Sequence, residues 1–75
     1  MYGHGRIYKK VEIIGVSRDG IEAAIQAAVQ KAGETIENLS WFEVEEIHGH
    51  VGADGKVGEY QVVLKAAFQL KERSE

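Results

Sequence analysis

Residues 40–71 read SWFEVEEIHGHVGADGKVGEYQVVLKAAFQLK, and this stretch decides the fold. Its last part, Glu59 to Lys71, alternates with a period of two. Tyr60, Val62, Leu64, Ala66, Phe68 and Leu70 form one apolar face, and Gln61, Val63, Lys65, Ala67 and Gln69 form a mixed one. That is the pattern of a strand covered on one side. Just before it, Gly52-Ala53-Asp54-Gly55-Lys56 carries an Asp-Gly turn signal, which returns the strand antiparallel to the segment upstream. That segment, Ser40 to Val51, places Trp41 and Phe42 on opposite sides. Its apolar phase runs through Phe42 and Val44 and then slips to Ile47 and Val51. A one-residue slip sends side chains to the wrong face unless the backbone absorbs it, so a bulge is expected near Glu45 and Glu46.

Upstream, Ile7 to Val16 is rich in β-branched residues, with Val11 and Ile13 on one side and Lys10 and Glu12 on the other, which reads as a strand. Ser17 offers an N-cap hydroxyl ahead of Asp19 and Glu22. Ile21, Ala24, Ile25, Ala28, Val29, Ala32 and Ile36 then recur at helical spacing, and Asn38 tolerates the left-handed backbone that closes a helix near Leu39. The order is strand, helix, strand, strand. A fully antiparallel sheet from that order puts the last strand in the middle, an α+β fold of β-α-β-β connectivity with one helix on one face. If Phe42 and Val44 face the helix, Trp41 faces away from it with Gln61, Val63 and Ala67. An open sheet face of this kind usually meets another subunit. The pattern also allows Trp41 to be an ordinary core residue with the bulge placed elsewhere.

The chain has 75 residues, so residues 1–75 make one small domain, with 1–6 and 72–75 expected as flexible ends. A chain this short buries only about 60% of its unfolded surface, and its core needs help from partners. There is no cysteine, hence no disulfide framework and no thiolate metal site. Nine basic and twelve acidic residues leave a net charge of −3, without the basic footprint of a general nucleic-acid binder. No apolar run approaches the roughly 18 residues of a membrane span. The N-terminal Met1-Tyr2-Gly3-His4-Gly5-Arg6 lacks a signal-peptide or transit pattern, and a cytoplasmic location is expected.

An exposed tryptophan offers an apolar plane for an aromatic ligand, and a glutamine can read the polar edge of such a ring with its acceptor oxygen and donor amide. Trp41 and Gln61 can do this if they meet. His48 and His50 share a strand face, and His4 is a third imidazole for a divalent metal, but no motif fixes a further ligand beside them. Glu43, Glu45 and Glu46 have neither a nucleophile nor an oxyanion motif with them, and read as a solvated or salt-bridged edge. Gly52, Gly55 and Gly58 fit turns and match neither dinucleotide nor P-loop patterns.

Taken together, Tyr8-Lys9-Lys10-Val11-Glu12-Ile13-Ile14-Gly15, Ala23-Ala24-Ile25-Gln26-Ala27-Ala28, Ser40-Trp41-Phe42-Glu43-Val44 and Glu59-Tyr60-Gln61-Val62-Val63-Leu64 closely resemble the bacterial dodecins over about residues 7 to 71. The resemblance implies a three-stranded antiparallel sheet wrapped around one helix, with twelve such protomers forming a hollow homododecamer. It also implies flavins bound in pairs at two-fold-related pockets, each isoalloxazine ring stacked on a tryptophan. Trp41 matches that tryptophan and Gln61 the glutamine that hydrogen-bonds the polar edge of the flavin. Glu46 falls near a position lining the pocket floor, and His48 stands as a partial cation near a phosphate.

The implied function is storage of flavin and quenching of its photochemistry without turnover of a substrate. FMN is the favoured ligand, with riboflavin or FAD as alternatives. Members with arginine at the positions of His48 and Gln69 bind coenzyme A at a separate surface site. Both positions depart from arginine here, which counts against coenzyme A. The rival reading is a purely structural homo-oligomer in which Trp41 fills a subunit interface and no ligand binds.

Overall fold

The chain runs β1 (Tyr8–Ser17), α1 (Ile21–Thr35), β2 (Leu39–Val51) and β3 (Val57–Gln69) in a computed structural model that describes residues 5–71. Of the ends expected to be flexible, 1–6 and 72–75, residues 1–4 (with His4) and 72–75 lie outside the described residues. The sheet order is β1-β3-β2, with both neighbours antiparallel to the central β3, as the element order requires. The hairpin closes through Gly52–Lys56: the Gly52 N–H donates to the Lys56 carbonyl at 2.8 Å, and Lys56 N–H to Asp54 Oδ1 at 3.0 Å. Gly55 supplies φ 81°, a backbone conformation open to glycine and closed to most side chains.

One face of β3 meets α1. Val62 and Leu64 are fully buried there against Ala24 and Ala28, with Ile13, Ile25 and Val29 packed around them. Small helix residues bring the backbones close. At Gly15 a Cβ would overlap the Ala24 carbonyl oxygen and lie 3.0 Å from the Ala28 Cβ, so β1 reaches the helix only through a glycine. This core contains no buried polar group among the described residues, and its largest fully buried side chains are Leu64 and Val62.

The helix packs chiefly on β1 and β3 and scarcely on β2. It is also short: 15 residues span about 22 Å, whereas the 13 residues of β3 span about 43 Å. Phe42, Val44, Ile47, Val51 and Val57 therefore stay exposed although they belong to the apolar phase of the hairpin. The radius of gyration is 16.3 Å, against about 11 Å for a compact chain of this length. The monomer is elongated and only partly buried, which is the physical ground for expecting it to associate.

Three sequence expectations need correction. Ser17 does not cap the helix: it ends β1, and its Oγ accepts the Asp19 N–H at 3.0 Å, while Gly20 (φ 143°) stands at the N-cap without a side-chain bond. Asn38 is left-handed (φ 65°), but α1 has already ended at Thr35 with Ile36 extended, so Asn38 turns the loop rather than closing the helix. The last strand begins at Val57 and ends at Gln69, not Glu59 and Lys71.

Candidate functional site

The expected bulge is present. Val44 opposes Leu64 and Glu46 opposes Val63, which leaves Glu45 as the extra residue. A second bulge, unseen in the sequence, lies at the start of β2: Leu39 opposes Phe68 and Trp41 opposes Ala67, so Ser40 is extra. In a regular strand Leu39 and Trp41 share a face. The bulge separates them: Leu39 lies half-buried near Gly33 of the helix, and Trp41 turns to the face that the helix does not cover. The Ser40 hydroxyl holds the kink by donating to the Asn38 carbonyl at 2.9 Å.

The open face is built in rows. At one end Tyr8 of β1 and Trp41 of β2 meet with ring centroids 4.8 Å apart and planes tilted by 53°. Trp41 remains 45% exposed. Next come Glu12, Lys65 and Glu43 on adjacent strands. Lys10 Nζ lies 2.7 Å from Glu43 Oε1, and Lys65 Nζ lies 3.9 Å from Glu45. The Lys10 hydrogen bond is the main cause holding the Glu43 carboxyl below its ordinary range; partial desolvation opposes it, and the nearby Trp41 indole N–H assists. Ile14 and Val63 form an apolar step beyond this row. Val16, Gln61 and His48 close the far end.

Of the four expected site residues, the structure brings three together. Gln61 opposes His48 directly, and His48 Nε2 lies 3.2 Å from Glu46 Oε1. The Gln61 amide donates to Glu59 at 2.9 Å and is half-buried. Trp41 is not with them. It opposes Ala67, six residues along β3 from Gln61, or about 20 Å at roughly 3.4 Å per residue. Within one copy of the chain Trp41 and Gln61 do not meet.

Tyr8 was not singled out in the sequence as a partner of Trp41. Its only signal is phase: it sits two residues before Lys10 on the mixed side of β1, and antiparallel pairing brings the start of β1 to the end of β3. Two of the three glutamates form a salt-bridged edge, Glu43 with Lys10 and Glu45 with Lys65, and Glu46 lies within hydrogen-bond distance of His48. Among the described residues no group of three His, Cys, Asp or Glu side chains could hold a metal ion. A wide cleft of about 710 Å³ at the strand ends is lined by Arg6, Asn38, Gln69 and Lys71 and presents no aromatic plane.

A family model described as Dodecin matches residues 7–71. The chain belongs to the dodecin family. It is 56% identical over 68 residues to a dodecin of Thermus thermophilus, covering 91% of this chain and 97% of that one. A crystal structure of a T. thermophilus dodecin mutant aligns with a TM-score of 0.85 at 55% identity, covering 92% of this chain and 100% of the other. A dodecin from Streptomyces davaonensis aligns with a TM-score of 0.84 at 36% identity, with the same coverage of 92% and 100%. A calcium dodecin of Mycobacterium tuberculosis is 31% identical over 65 residues, covering 87% of this chain and 90% of its own. No helix of the described residues is long and apolar enough to cross a membrane.

Proposed function

We propose that this chain stores and buffers flavin as a homododecamer, stacking the isoalloxazine ring on Trp41 and turning over no substrate. The observation that carries this reading is the indole itself: a half-exposed aromatic plane, turned by a bulge to the face that the helix leaves open. A flat tricyclic ring gains dispersion and offset stacking against such a plane. Gln61 orients the ring by offering both an acceptor and a donor to its polar edge.

Because Gln61 stands about 20 Å from Trp41 along the sheet, the two act on one flavin only when they come from different copies. The pocket in this account exists at a subunit junction, and assembly and binding are linked. Glu46 and His48, gathered beside Gln61, line the same end of the pocket. When bound, the flavin would supply the photochemistry, and Trp41 would hold an electron-rich indole against the ring, where it could quench the excited state. The chain's residues hold the ring, orient its edge and exclude solvent from its faces. FMN is the favoured ligand, with riboflavin or FAD as alternatives, and the pool buffered in this reading is cytoplasmic. Coenzyme A is not part of the proposal, because neither His48 nor Gln69 supplies the fixed bidentate charge of arginine.

The test is a titration of the ligand-free protein into FMN and, separately, riboflavin, following flavin emission. Saturable quenching that disappears in Trp41→Ala supports the reading. The second reading, a ligand-free structural oligomer, is favoured by the exposed Phe42, Val44, Ile47 and Val51, which need cover whether or not flavin binds. It predicts full assembly with no quenching of either flavin.

A further inference from the structure

We propose that Tyr8 is a positioning residue for Trp41: laid against the indole across the central strand, its ring fixes the plane on which the flavin stacks. The inference rests on the reading of Trp41 as the stacking residue.

Tyr8 and Trp41 come from the two outer strands, which stand about 9.6 Å apart with β3 between them. Side chains at that separation reach each other only if the residue between them is small. Ala67 lies opposite both Lys10 and Trp41, and it is fully buried beneath them. Tyr8, opposite Gln69, leans diagonally over this gap to reach a centroid distance of 4.8 Å, within the range of a favourable tilted aromatic pair.

The contact adds nothing to the Val62–Leu64 core, which lies on the other face of the sheet. Its effect falls on the indole. Trp41 sits on an edge strand just after a bulge, and it stays 45% exposed with Tyr8 against it. Glu43, held by Lys10 at 2.7 Å, stands beside the indole from its own strand. Tyr8 thus limits the swing of the ring from one side and leaves nearly half of its surface free. Presetting a ligand-facing ring in this way raises affinity by removing an ordering cost at binding.

Trp41 is the sole tryptophan, so its emission and near-ultraviolet ellipticity report on this one side chain. Three variants separate the alternatives. Tyr8→Leu keeps apolar bulk and removes the ring, Tyr8→Phe keeps the ring, and Ala67→Leu fills the gap while leaving both aromatic residues in the sequence. In ligand-free protein Tyr8→Leu and Ala67→Leu should raise acrylamide quenching of Trp41 and reduce its ellipticity. With FMN as probe both should weaken binding roughly three- to ten-fold, the range expected of one aromatic pair, and Tyr8→Phe should match wild type in both measurements. Wild-type accessibility and wild-type FMN affinity in Tyr8→Leu overturn the proposal, as does a Tyr8→Phe variant no better than Tyr8→Leu. If the wild-type protein binds neither FMN nor riboflavin, the stacking reading falls, while the ligand-free measurements still decide whether Tyr8 fixes the indole.

Discussion

Trp41 and Gln61 lie on the same open face but six positions apart along β3, so one copy of the chain cannot close both on one flavin ring. A pocket that needs both must be shared. Chains carrying Trp41→Ala and chains carrying Gln61→Ala should each bind FMN weakly when assembled alone. Particles reassembled from an equal mixture should regain a subset of tight sites, where an intact Trp41 of one chain meets an intact Gln61 of another. A binding isotherm for the mixture equal to the average of the two pure variants would show that the residues do not share a pocket.

Trp41→Ala removes the stacking plane. By analogy with bases on aromatic side chains it should cost about 1–3 kcal/mol, or roughly 5- to 150-fold in the FMN dissociation constant. Because Trp41 is half exposed and off the core, the secondary structure by circular dichroism should stay unchanged. Equal affinity in the variant removes Trp41 from the site.

Gly15→Ala tests the packing of β1 on α1. The added methyl meets the Ala24 carbonyl oxygen, which is backbone and cannot swing away. Overpacking of this sort typically costs about 1–3 kcal/mol, a large share of what so small a core supplies. Thermal unfolding at fixed protein concentration should shift down by several degrees, and an unchanged midpoint would mean that helix and sheet are not in the contact described.

Acid should release the brace beside Trp41. Lys10 lowers the Glu43 pKa from its ordinary 4.5 in the folded chain, so the pairing is fully present above that value. It is lost as pH falls through the lower, folded value. Trp41 emission should therefore change only below pH 4.5, and Glu43→Gln should abolish that transition. A transition of the wild type centred above pH 4.5 contradicts the assignment. Both partners are partly exposed, so raised salt should weaken the pairing as well.

Much of this was legible from spacing. The period-two face of β3 named the residues that meet the helix, and the slip between Val44 and Ile47 placed the bulge near Glu45 and Glu46, because a one-residue slip moves an apolar set to the other face unless the backbone absorbs it. The bulge at Ser40 left no such trace: it falls at the strand's first residues, before a pattern has begun. Ser17 looked like a cap because its hydroxyl precedes acidic residues, but it is spent on the Asp19 N–H three residues before the N-cap position Gly20. The Tyr8–Trp41 contact and the separation of Trp41 from Gln61 are properties of register between strands distant in sequence, which no local pattern encodes.

The central claim is that this chain assembles around flavin, and one measurement addresses it most directly. Protein purified without added ligand is weighed in solution, and absorbance at flavin wavelengths is read on the same fraction. The account predicts a particle of dodecamer mass that is yellow, or that quenches FMN or riboflavin on addition. A colourless particle that quenches neither flavin contradicts it and leaves the structural oligomer as the better description.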